Sequence, residues 1–87
     1  MTREELNNAI GGNEVTSSHI SMAEVANIMM YVKVNLELDG GTLEHYYSIN
    51  VEELLNSQMP ASDLDDLKNQ GWAYDRRKEN LIIYLLT

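Results

Sequence analysis

The spacing of hydrophobic residues along this chain switches between helical and alternating, and most switches fall at a capping or turn signal. Leu6 and Ile10 stand four residues apart, on one helical face, behind Thr2-Arg3-Glu4-Glu5. That tetrapeptide has the form of a capping box: the Thr2 hydroxyl accepts from the Glu5 N–H, and the Glu5 carboxylate reaches back to the Thr2 N–H. A helix over 3–10 is predicted, ended by Gly11-Gly12. The following residues are small and polar and read as loop. Residues 1–18 are therefore expected to form a helical arm and loop, and residues 19–87 a single domain. Ser21-Met22-Ala23-Glu24 repeats the capping signature ahead of Val25, Ala26 and Met29, and predicts a second helix over 22–28.

From Ile28 the period shortens to two. Ile28, Met30, Val32, Val34, Leu36 and Leu38 alternate with mostly polar residues, which predicts a strand over 28–38. Asp39-Gly40-Gly41-Thr42 then reads as a hairpin turn, with the two glycines expected to take positive φ in a two-residue loop. That loop pairs Leu38 with Leu43, Leu36 with His45, Val34 with Tyr47 and Val32 with Ile49, so a return strand over 42–49 places all of them on one inward face. The other face carries Glu37 opposite Glu44, Asn35 opposite Tyr46 and Lys33 opposite Ser48.

Asn50-Val51-Glu52-Glu53 opens a helix over 51–57, and Met59-Pro60 breaks it. A further helix over 63–70 carries Leu64 and Leu67, gathers acids in its first turn where the helix dipole favours them, and ends at Gly71. Trp72-Ala73-Tyr74 begins a strand over 72–75. Leu81 to Leu86 is apolar on both faces, as expected of a strand inside a sheet and not at its edge. The pattern as a whole predicts an α+β domain: an antiparallel sheet built from two hairpins (28–38/42–49 and 72–75/81–86) with three or four short helices.

Composition narrows what such a domain can do. The 87 residues include no cysteine, which removes thiolate catalysis, disulfides and cysteine zinc sites. At this length a core is thin, so a partner surface or self-association is a natural source of extra stability. Fourteen acids against six bases give a net charge of −8, which repels nucleic acid and anionic membranes at long range and favours a basic partner. No stretch resembles a signal peptide or spans a bilayer, so a cytoplasmic protein is expected.

Chemistry is sparse. His19 and His45 lack a second ligand at zinc spacing, and His45 is expected to pack on the inward hairpin face. Glu37, Asp39 and Glu44 gather at the hairpin tip without an EF-hand pattern. No nucleophile elbow, phosphate-cradling glycine loop or acid–base pair is present. The chain is therefore read as non-enzymatic, with no catalytic residue, metal or cofactor. Arg76-Arg77-Lys78 is the one basic cluster. In element order, the last third of the chain resembles the helix and wing of winged-helix proteins. That resemblance implies a basic wing on a phosphate backbone, but Asp63, Asp65 and Asp66 on the preceding helix would repel DNA, so no nucleic-acid partner is expected.

Two functions are consistent with this reading. The first is a non-catalytic protein–protein interaction or assembly component that binds a basic protein or a second copy of itself, with Tyr31 and Tyr46 expected on the outer hairpin face as contact residues and Arg76 and Arg77 at a second patch. The second is an acidic inhibitor that mimics nucleic acid and occupies a basic nucleic-acid-binding protein. Small phage-encoded anti-restriction and anti-CRISPR proteins are similar in size and charge. Its carriers would be Glu52, Glu53, Asp63, Asp65 and Asp66, provided they share one face.

Overall fold

Local capping chemistry sets where the helices start. The computed structural model describes residues 1–86. Helix α1 (Arg3–Ile10) begins on the Thr2 capping box: Glu5 N–H donates to Thr2 Oγ1 at 3.1 Å and Thr2 N–H to Glu5 Oε1 at 2.8 Å. A short strand β1 (Ser17–Ser18) follows. Helix α2 (Met22–Met29) starts on the equivalent box at Ser21. Strands β2 (Asn35–Leu38) and β3 (His45–Asn50) form the first hairpin. Helix α3 (Val51–Leu55) is capped by Asn50, whose side chain accepts from Glu53 N–H at 2.9 Å. A 3-10 turn (Ala61–Asp63) leads into α4 (Leu64–Gln70), which ends at Gly71 in the left-handed region, φ 102°. Strands β4 (Ala73–Asp75) and β5 (Asn80–Leu85) form the second hairpin.

The sheet runs in the order β1-β5-β3-β2, with β4 also on β5. One long side of β5 pairs antiparallel with β3. Its other side is shared: the first half pairs antiparallel with β4, and the second half pairs parallel with β1. The doubly apolar strand is thus interior, as its composition predicts, with Leu81 and Ile83 fully buried and Ile82 nearly so. The core gathers Leu6, Ile10, Ile49, Val51, Leu54, Leu67, Trp72, Leu81 and Ile83.

The helical arm and loop expected over residues 1–18 pack into the domain: Leu6 and Ile10 are fully buried in the same core as Trp72, and β1 is bonded into the sheet through Tyr84 N–H to the Thr16 carbonyl (3.1 Å). Arg3 also reaches Tyr74 and Glu79, each at 2.7 Å. The Cα radius of gyration, 12.0 Å, equals the ~12 Å expected of a folded domain this long. Several expectations give way. The strand predicted from residue 28 starts only at Asn35. Ile28 and Val32 are four apart as well as even-spaced, and here the helical spacing wins: α2 runs to Met29, and Val32 N–H still bonds the Ile28 carbonyl at 3.2 Å. The helix expected over 51–57 stops at Leu55, where Ser57 Oγ takes over the Leu54 carbonyl at 2.6 Å.

The first hairpin forms in a different register. Leu36 pairs with Tyr47 and Leu38 with His45, a shift of two residues from the predicted partners. A shift of two leaves every side chain on its predicted face, whereas a shift of one would have reversed them. The cause is the loop. Neither Gly40 nor Gly41 has positive φ; Leu43 does, at 59°. The Asp39 carboxylate accepts from Gly41 N–H at 2.8 Å, and Asp39 N–H bonds the Glu44 carbonyl at 2.8 Å, closing a four-residue loop in place of a two-residue one.

Candidate functional site

The two faces of the β2–β3 hairpin have different chemistry. On the face that β3 and β5 turn toward the helices, Ile49 and Ile83 are fully buried and Tyr47 packs against the core. Leu36 and Leu38 share that face through their pairing with Tyr47 and His45, yet they are 59% and 55% exposed. Of α2, the first residue, Met22, touches this face, with its sulfur 3.8 Å from the Tyr47 hydroxyl, and it is itself exposed. Tyr47 also borders a shallow depression of about 290 Å³ with Ile20 and Leu85, so the apolar strip runs from Leu36 across Tyr47 to the end of β5. Leu43, at the loop, is 74% exposed.

The opposite face holds fixed carboxylates. Ser48, buried in the sheet, donates to Glu37 Oε2 at 3.2 Å, and Tyr84 OH donates to Asp39 Oδ2 at 2.7 Å. The Tyr46 and Tyr84 rings pack with centroids 5.2 Å apart. The hydrogen bond from Tyr84, then that from the Gly41 N–H, holds the Asp39 carboxyl below the usual aspartate range. The same bond to Asp39 pushes the Tyr84 phenol up to about 12, and Glu37 raises that of Tyr46. The result is an edge hairpin with leucines on one side and two oriented anions on the other.

The residues singled out from sequence do not gather at one place. Tyr31 lies in the turn after α2, not on the hairpin, where it borders a cleft of about 230 Å³ between α2 and α4 with Glu24, Asp63 and Asp66. Tyr46 is half-buried against Tyr84 on the sheet, so the expected pairing of Tyr31 and Tyr46 on one outer face does not occur. Glu52 and Glu53 occupy the first turn of α3, and Asp65 that of α4; all three are exposed and none borders the cleft. Arg76 is exposed but engaged: Nη2 donates to Asn7 Oδ1 at 3.0 Å and the guanidinium lies over the Tyr74 ring at 5.2 Å. Arg77 sits in the exposed β4–β5 turn, its N–H held by Asp75 Oδ1 at 3.0 Å. His45, expected to pack inward, is exposed at the start of β3.

The residues that sequence reasoning undervalued are Leu36 and Leu38. Alternation assigned them the correct face, but nothing in the pattern tells whether a helix extends over them. Among the described residues no group of three or more potential ligands could hold a metal ion, and no helix is long and apolar enough to cross a membrane. Neither protein-family models, nor curated protein sequences, nor solved structures match this chain.

Proposed function

We propose that this chain is a non-catalytic protein-binding component that docks a basic protein partner on the β2–β3 hairpin. The observation that carries the reading is the exposure of Leu36 and Leu38 on the face that elsewhere buries Ile49 and Ile83. Apolar surface in water costs about 25 cal/mol per Å² relative to burial, and contiguous apolar patches rimmed by charge mark contact sites. The same hairpin is acidic: Glu37 and Asp39 lie on its opposite face and Glu44 at its loop end, in a chain with eight more acids than bases. A partner with an apolar centre and basic surroundings is complementary on both counts. A second copy of this chain would bring acid against acid.

The nucleic-acid-mimic reading comes second. It calls for one continuous acidic face, and of its five carriers only Asp63 and Asp66 line the cleft between α2 and α4.

The test is a paired charge insertion, Leu36→Lys with Leu38→Lys. Both sites are exposed, so the thermal midpoint should stay within a few degrees of the parent. A partner isolated with the parent chain and then purified should bind the variant at least about tenfold more weakly by calorimetry, equivalent to about 1.4 kcal/mol. Unchanged affinity for that partner would refute the docking face. Replacing Glu52, Glu53 and Asp65 with their amides should leave binding in place.

A further inference from the structure

Strand β2 is the edge of the sheet, and among the described residues no other segment is hydrogen-bonded to its outer side. Such an edge presents alternate N–H and C=O groups to any extended chain of suitable pattern. Proteins commonly close an edge with lysine, proline or a bulge. Asn35-Leu36-Glu37-Leu38 contains no lysine or proline and pairs with β3 without interruption. Its only charge is Glu37, held by Ser48 on the face away from the leucines.

Resting on the docking reading above, we infer that the partner's contact is an extended segment that adds to β2 as a further strand, with basic residues alternating with apolar ones. The alternation follows from geometry. In a strand, successive side chains point to opposite faces. Leu36 and Leu38 point to one face, so the facing residues of an added strand are apolar. Glu37 and Asp39 point to the other, both fixed by hydrogen bonds, so the residues opposite them are basic. The same two carboxylates argue against a second copy as the added strand. An antiparallel β2 pair about a two-fold axis would bring acids near acids across the new ladder, which destabilises it.

The experiment uses the full chain, isotope-labelled, titrated with short capped peptides while the amide signals of residues 35–38 are followed. One peptide alternates valine and lysine; a second has the same residues in two blocks. Two further versions of the alternating peptide carry N-methyl groups on every second backbone nitrogen, in opposite phases. The alternating peptide should bind at least about tenfold more tightly than the block peptide. One methylation phase should abolish binding, because it removes the N–H groups that face β2, and the other should be tolerated. Equal loss from both phases, no loss from either, or no binding of the alternating peptide overturns strand addition. So does a concentration-dependent dimer of the chain alone that Leu36→Lys with Leu38→Lys dissolves. These outcomes are separable from failure of the docking reading. A protein partner that discriminates parent from variant while the peptides fail leaves the docking face standing and removes only its strand-like mode. A partner indifferent to the leucines removes both.

Discussion

Leu43 is one of two non-glycine residues, with Glu79, whose backbone lies in the left-handed region among the described residues. It is an exposed leucine at φ 59°, in the region that only glycine enters freely, while the neighbouring Gly40 lies outside that region with open space where a Cβ would be. The two positions carry each other's residue type. Leu43→Gly should therefore stabilise the fold by about 0.5–1 kcal/mol, the relief of left-handed strain less the added freedom of the unfolded chain. Gly40→Ala should add about 0.5 kcal/mol by restricting the unfolded state alone. Urea denaturation measures both; a loss of stability in Gly40→Ala would mean that the loop needs its glycine after all. A second residue-scale prediction concerns Asp39 and Tyr84. Asp39 is depressed below its ordinary 3.8, so its contribution is complete above that pH and is lost as the pH falls through its folded value. Tyr84 is raised from 10.0 to about 12, so its contribution is complete below pH 10.0 and is lost as the pH rises toward 12. In Tyr84→Phe the hydrogen bond is gone at every pH. The gap in thermal midpoint between parent and variant should therefore close at both ends of the range and be widest between. A constant gap would mean that the phenol–carboxylate bond contributes nothing that titrates.

At the scale of elements, α1 decides whether the first eighteen residues are structure or appendage. With Leu6 and Ile10 at 0% exposure, Leu6→Ala should cost about 2–5 kcal/mol of global stability. The accompanying Arg3–Glu79 pair, with both side chains about half exposed, is worth at most about 1 kcal/mol. Denaturant unfolding followed through Trp72 fluorescence reads the global transition, and an unchanged midpoint in Leu6→Ala would mean that those residues are an appendage. Helices were legible in the sequence because their signals are local: Thr2, Ser21 and Asn50 cap within three residues of themselves. Strand faces were legible for the same reason, since period two survives a register error of two. What escaped was set by distance. Ser17 and Ser18 become β1 only because β5 offers them a parallel neighbour, and no side-chain pattern encodes that. Ile28 and Val32 satisfy two periods at once, and packing decided between them. The candidate site was legible only as a face; its exposure depends on tertiary packing that no local pattern encodes.

Across the whole molecule, eight excess negative charges press outward on a thin core. Raising the ionic strength from low to physiological should screen that repulsion and increase stability, by something on the order of 1 kcal/mol, comparable to one surface ion pair. A calorimetric midpoint that fell with added salt would mean that attractive pairs outweigh the repulsion. The placement of β5 has a consequence in time as well as in space. It is the strand that β1, β3 and β4 all pair with, and every one of them precedes it in the chain. A ribosome therefore delivers all four helices and four of the five strands before the piece that joins them. Until residues 80–85 emerge, the nascent polypeptide holds apolar segments with nothing to close over them, a state suited to capture by a chaperone. Closure of the sheet then waits on arrival of that strand.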